Sequence, residues 1–216
     1  MKLALHNYWR STSSYRLRIG FGLKGLAYEY VAVNLLEGAQ LTDDYRAKNP
    51  SAQVPLLEIT EDDGTRITLR QTVPILEYLE ERWPDPPLLP RDRYLRAKAR
   101  ALAEIVNAGI QPLQNMTTLR RIKQLGGDEQ AWANRSVGDG LAAFARVVEE
   151  TAGTFCVGDT PTIADCYLVP QLYAARRFKV ALDATFDRLL GIEARCLALP
   201  AFADAVPERQ PDAVKS

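Results

Sequence analysis

Histidine is nearly absent from this chain: His6 is the single one among 216 residues. A metal site built on several imidazoles is therefore excluded. A Ser-His-Asp hydrolase would have to use His6, and no G-x-S-x-G elbow accompanies it. Net charge is missing too. Lys+Arg and Asp+Glu are both 27, so no overall field draws the chain to nucleic acid or to an anionic membrane, and any recognition of charge has to be local. No apolar run reaches the length of a membrane span, and the first residues lack the order of a signal peptide, which makes the cytosol the expected location. Cysteine is scarce: Cys156, Cys166 and Cys196 are odd in number and widely spaced, which fits reduced thiols packed as small core residues better than a disulfide framework or a zinc site. An enzyme made from this chain rests on hydroxyls, arginines or a borrowed group.

What is present falls into two regions. The first alternates in type: a short apolar run (Leu3 to Leu5), a polar-led segment from Arg10, the strand formers of YEYVAVNL, a helical LTDDYRAKNP stopped by Pro50, the strands VPLLEI and RITL around an Asp63-Gly64 turn, and the amphipathic TVPILEYLEERW with Thr72 as a plausible cap. Read as βαβαββα, residues 1–83 form a small mixed sheet with helices packed on it. The four prolines of PDPPLLP, residues 84–90, read as a linker. Strand signals vanish beyond it, so 91–216 reads as an all-α domain: one long helical stretch from Arg93 to Leu125, a break at Gly126-Gly127, a second helix through EQAWANRSVGDGLAAFARVVEE, and a loose tail, PERQPDAVKS. Thr162 and Asp165 form a capping-box-like pair whose role is structural.

The stretch RSTSSYRLRIGFGLKG carries two periods at once. Tyr15, Leu17, Ile19, Phe21 and Leu23 alternate as in a half-buried strand, whereas Tyr15, Ile19, Leu23 and Leu26 lie at helical spacings. The hydroxyls of Ser11, Thr12, Ser13 and Ser14 favour the helix, because the first N–H groups of a helix need acceptors.

Together these features resemble the glutathione transferase family, a thioredoxin-like domain followed by a helical one, and specifically its zeta class. RSTSSYRLRI is similar to the zeta signature SSCxWRVRI, NPSAQVPLLEI to the segment with the family's cis-proline, and RQTVPILEYLEE to its QS-x-x-I-I-E-Y-L-E-E helix; GIQPLQN, GDTPTIADCYLVPQLYAARRF and CLALPAFADAVPERQPDA extend the likeness over almost the entire chain. The resemblance implies an α+β fold, a homodimer, glutathione as cofactor and a small dicarboxylate as substrate, with no nucleic-acid or membrane partner. The activity it implies is that of maleylacetoacetate isomerase. In that reaction a thiolate adds to a cis double bond, the bond rotates while single, and elimination leaves the trans isomer.

By the same resemblance Ser11, Thr12 and Ser13 are the catalytic candidates, Ser11 first, with Ser14 completing a hydroxyl-rich helix start that favours a thiolate. Ser13 stands where the signature has cysteine, so the sulfur has to come from glutathione. Val54, before an expected cis Pro55, matches the backbone that pairs with the tripeptide. Gln71 and Thr72 match the Gln-Ser that takes the γ-glutamyl carboxylate, Gln40 meets the glycyl end, and Gln111, Asn115 and Thr117 line the site. Arg10 and Arg177 match the family's carboxylate-binding arginines, suited to that task by their planar forks, while Arg176 faces elsewhere. Maleylpyruvate isomerases resemble IHPINNRR where this chain has IQPLQNMT, with Gln111, Met116 and Thr117; that difference favours maleylacetoacetate. The alternatives are maleylpyruvate isomerisation, glutathione transfer to small α-halo acids and, last, a binding module without activity.

Overall fold

The hydroxyl run starts a helix. In the computed structural model, which describes residues 1–214, α1 spans Thr12–Leu23 and Ser11 is its N-cap, its Oγ accepting the Ser14 N–H at 3.1 Å. The strand-like alternation arises because α1 is enclosed: every residue from Ser14 to Phe21 is buried. A helix covered on all sides needs no single apolar stripe, so its periodicity is ambiguous in the sequence.

The chain divides into two compact units, one of Met1–Leu88 with residues 200–214 and the other of Leu89–Leu199. The first has the expected βαβαββα order: β1 (Lys2–Asn7), α1, β2 (Glu29–Ala32), α2 (Asp43–Lys48), β3 (Leu56–Thr60), β4 (Arg66–Arg70) and α3 (Thr72–Arg82). The strands lie in the order β2-β1-β3-β4, with β1 parallel to β2 and antiparallel to β3. Leu5, Leu56, Leu57 and Ile59 of the two central strands are fully buried, as are Ile75 and Leu79 of α3. Gly20 lets α1 and α3 meet closely, since a Cβ there would stand 2.4 Å from Leu76 Cδ2.

Beyond α3 the prolines do not leave a free linker at once. Lys24, buried, donates to Glu80 Oε2 at 2.6 Å and to the carbonyls of Trp83 at 2.6 Å and Pro86 at 2.7 Å. Glu80 Oε2 also accepts the Leu88 N–H at 2.7 Å. All three ammonium donors are thus used, and the chain is held to the first unit up to Leu88.

The tail is the principal departure from the sequence reading. Residues 200–214 pack with the first unit, and they are not loose. Arg18 Nε donates to the Ala205 carbonyl at 3.0 Å, and Gln210 Nε2 donates to the carbonyls of Asp204 and Val206. Lys215 and Ser216, the end of that stretch, lie outside the described residues.

The second unit is helical: α4 (Arg93–Glu104), α5 (Gln111–Gln114), α6 (Met116–Gln124), α7 (Glu129–Val148), α8 (Ile163–Arg177) and α9 (Asp187–Leu197); the short α10 (Pro200–Ala203) belongs to the first. The single long helix expected from Arg93 to Leu125 is broken. A π-helical turn occupies Ile105–Ile110, and Asn115 is extended at φ −64°, ψ 144°. Pro112 has no N–H to bond the carbonyl four residues back, and Gly109 weakens the same turn. The capping pair is as read: Thr162 Oγ1 accepts the Ala164 N–H, and Asp165 Oδ2 accepts the Thr162 N–H at 2.7 Å. No described helix is long and apolar enough to cross a membrane.

Candidate functional site

Strand register gathers the first unit's candidate residues at one end of the sheet. Asn7 pairs with Ala32, His6 with Leu56, and Leu56 with Arg70. The turn after β1, the loop after β2, the residues before β3 and the start of α3 therefore share the edge beyond the carboxyl ends of the parallel pair. These segments carry Arg10 to Ser14, Gln40, Val54-Pro55 and Gln71-Thr72. Ligands of open α/β sheets bind outside that edge.

Between β1 and α1 the chain makes one turn, closed by the Ser11 N–H donating to the Tyr8 carbonyl at 3.0 Å. Arg18 braces it from below. Its guanidinium, buried inside α1, donates to Asn7 Oδ1 at 3.2 Å and to the Trp9 carbonyl at 2.9 Å, besides Ala205. Burial lowers the Arg18 pKa from the usual arginine value, and several acceptors compensate the buried charge. Ahead of α1 the N–H groups of its first turn point outward, with the positive end of the helix dipole behind them. Ser11 and Ser13 are half-buried there and Thr12 is buried. Such a helix start holds an anion and lowers the pKa of a thiol placed on it. Arg10 on the turn lies over the Trp9 ring, with Cζ 5.4 Å from the centroid.

The adjoining segments suit a peptide ligand. The Val54–Pro55 bond is cis. Its loop is pinned by Tyr45 Oη and Asn49 Nδ2, both donating to the Gln53 carbonyl at 2.7 Å. Burial pushes the Tyr45 phenol up to about 12, so it remains a donor at neutral pH. Gln71 is the N-cap of α3, not Thr72 as the sequence indicated. It sits at φ 69°, ψ 141°, and makes no side-chain cap. A glutamine held in that region costs on the order of 1–3 kcal/mol, and such strain clusters at ligand sites. Gln40 is buried in the turn Ala39–Leu41, and its Oε1 has no hydrogen-bond partner among the described residues. A buried acceptor of that kind fits the amide of a bound peptide.

In the second unit Gln111 and Asn115 are brought together directly, Gln111 Nε2 donating to Asn115 Oδ1 at 2.7 Å. Behind them stands a buried pair that sequence reasoning missed. Gln114 and Gln171 exchange amide bonds at 3.2 and 3.0 Å, and Gln114 Nε2 also donates to Gln111 Oε1 at 3.2 Å. The partners lie 57 residues apart, so no local pattern announces them. Arg18 was detectable, as a charge inside an apolar helix. Thr117 is exposed on α6. Arg177 ends α8, exposed, with Cζ 5.2 Å from the Phe178 ring centroid. Arg176 faces elsewhere, paired with Glu193 of α9. Cys156, Cys166 and Cys196 are buried, and burial raises all three thiols above their ordinary pKa. None of them is a source of thiolate.

Comparison with known proteins gives the family. Residues 10–82 match the model of the glutathione S-transferase N-terminal domain. The chain is 44% identical over 215 residues to a maleylacetoacetate isomerase of Pseudomonas aeruginosa, covering 97% of this chain and 98% of that one. The maleylacetoacetate isomerase of Anaeromyxobacter dehalogenans, solved with glutathione in its active site, superposes with a TM-score of 0.91 at 50% identity over 99% of this chain and 98% of that one. It has also been solved with dicarboxyethyl glutathione and citrate. A maleylpyruvate isomerase described as a bacterial zeta-class glutathione transferase gives a TM-score of 0.90 at 40% identity, covering 98% of this chain and 100% of that one. With likeness of this strength running from end to end, the chain belongs to the zeta class of the glutathione transferase family.

Proposed function

We propose that this protein is a glutathione-dependent cis–trans isomerase that converts maleylacetoacetate to fumarylacetoacetate. The observation that carries the reading is the start of α1. A serine-capped helix opens at the ligand edge of the sheet beside Arg10, in a chain whose own thiols are all buried. Bound glutathione supplies the thiolate that adds to the double bond and leaves again. Ser11, with Thr12, Ser13 and Ser14 around it, donates hydrogen bonds and holds negative sulfur in the field of the helix. Val54 and Pro55 offer extended backbone to the tripeptide, Gln71 and Thr72 take its γ-glutamyl end, and Gln40 its glycyl end. Gln111, Asn115 and Thr117 contribute further polar contacts. Arg10 and Arg177 hold the carboxylates of the substrate in charge-assisted bonds. Relatives solved with citrate or malonate beside glutathione or a glutathione conjugate support a dicarboxylate. A homodimer in the cytosol completes the reading, the dimer being checked by sedimentation.

Maleylpyruvate is the second substrate to test, since a relative at 40% identity isomerises it by name. Gln111, Met116 and Thr117 favour maleylacetoacetate over it. The purified protein is mixed with glutathione and each substrate in turn, and the trans product is followed. Turnover of neither, with conjugation of α-halo acids instead, would replace isomerase by transferase. Arg177→Ala should raise the KM for substrate on the order of ten- to a hundredfold, the worth of a charged hydrogen-bonded contact. Glutathione affinity should stay within about twofold, and equal loss of both would remove Arg177 from the substrate site.

A further inference from the structure

The turn that carries Arg10 is held from two sides, and the second hold comes from the far end of the chain. Of the four residues Tyr8 to Ser11, the outer pair bond each other. The N–H groups of the two middle residues of such a turn point outward and need acceptors elsewhere. The Trp9 N–H donates to Asp212 Oδ2 at 3.1 Å. The other carboxylate oxygen of Asp212 accepts from the Tyr30 hydroxyl on β2 at 2.5 Å. In the next peptide, the one that joins Trp9 to Arg10, the Trp9 carbonyl accepts from Arg18. Both polar groups of Trp9 are therefore bonded to charged side chains, one reached through 203 residues of chain. Asp212 is tied to the sheet, and the tail behind it is folded by Gln210 on the carbonyls of Asp204 and Val206.

We infer that Asp212 is a positioning residue for the reaction: through the Trp9 N–H it fixes the turn that aims Arg10 and leads into Ser11, so the tail forms part of the active site. The inference rests on the roles proposed above for Arg10 and Ser11. Ser11 has supports of its own, its N–H on Tyr8 and its Oγ under Ser14. Arg10 follows Trp9 directly and is the residue more exposed to loss of the clamp. Substrate binding should accordingly suffer more than glutathione binding.

The test compares Asp212→Ala, Asp212→Asn, Tyr30→Phe and, as a control on the same tail, Asp204→Asn, which removes only an exposed ion pair with Arg209. In the isomerase assay Asp212→Ala should raise the KM for maleylacetoacetate about five- to twentyfold, with kcat and the Kd for glutathione within about threefold of wild type; charge-assisted bonds have the strength for such a shift. Asp212→Asn keeps an acceptor for Trp9 and should recover most of that KM. Tyr30→Phe, which frees only the other oxygen, should move KM the same way by a smaller factor. Asp204→Asn should leave KM unchanged. A fall in melting temperature for Asp212→Ala with KM unchanged would reduce Asp212 to a structural contact and overturn the inference. So would an Asn variant as impaired as the Ala variant. The backbone amide resonances of Trp9 and Arg10 provide a readout independent of turnover: they should move in Asp212→Ala and Tyr30→Phe and stay in Asp204→Asn. If the wild type isomerises neither maleyl substrate, the proposed reaction fails while these resonances still decide the clamp, and unmoved resonances overturn it.

Discussion

Ser11 does two things with one oxygen. Its Oγ accepts the Ser14 N–H as the cap of α1, and its own O–H is still a donor. If that donor goes to glutathione sulfur, Ser11→Ala should cost about 1 kcal/mol of stability as a lost cap and lower kcat on the order of a hundredfold or more, as for a single lost donor to a developing anion. Ser13→Ala touches no cap and should leave the melting temperature in place; a larger kcat loss there than in Ser11→Ala would transfer the sulfur to Ser13. Glu58 on β3 sets a pH dependence. It accepts from His6 Nε2 at 2.5 Å and Lys48 Nζ at 3.0 Å. Burial alone would raise its pKa, but the two bonds outweigh burial and hold the carboxyl below its usual value. A depressed carboxyl stabilises the fold above the unfolded pKa of about 4.3 and loses that contribution as pH falls through the folded value. Exposure keeps the effect under about 1 kcal/mol. Urea midpoints of wild type should therefore exceed those of Glu58→Gln above about pH 5, and the gap should close in acid. A gap that persists there would trace to packing instead.

At the scale of elements, the join after α3 depends on a buried ion pair. Lys24→Met leaves Glu80 without its lysine and two carbonyls without a donor, and should destabilise by about 3–5 kcal/mol in urea unfolding. Lys24→Met with Glu80→Met should recover a large part, since it removes both charges; no recovery would show that the carbonyl contacts dominate. Most elements of the first unit were readable because local signals agree with the fold: the Asp63-Gly64 turn with its alternating flanks, the hydroxyls before α1, and Pro50 after α2. The failures differ in cause. Thr72 resembles a cap, but the backbone at Gln71 adopts a strained conformation that only tertiary contacts sustain. The helix from Arg93 is interrupted by the π-helical turn Ile105–Ile110 and breaks at Asn115, just past Pro112, which has no N–H for the helical ladder. The tail has little apolar pattern, because its order comes from Arg18, Gln210 and Asp212 bonding to groups far away in sequence. The candidate site was legible in the same measure. Residues on α1 and α3 are announced by helix-start chemistry and by the family motifs; Gln114, Gln171 and Asp212 act through long-range polar bonds that leave no periodicity.

For the whole molecule, ligand and stability are linked. A ligand present at a hundred times its Kd and bound only to the folded state stabilises by about 2.7 kcal/mol. For a chain of this size that corresponds to roughly 5–10 °C in melting temperature. Glutathione should produce this shift without any maleyl substrate, and a flat melting temperature across the glutathione titration would deny the peptide site. The burial of Cys156, Cys166 and Cys196 has a consequence for how such a protein survives its own cosubstrate. Thiol–disulfide exchange needs an accessible thiolate on one partner. This chain keeps its three thiols protonated and enclosed, so glutathione in either redox form meets no cysteine to form a mixed disulfide with. The reactive sulfur is a bound guest that each isomerisation regenerates, and an oxidised one is simply exchanged for another, leaving the protein chemically unmarked.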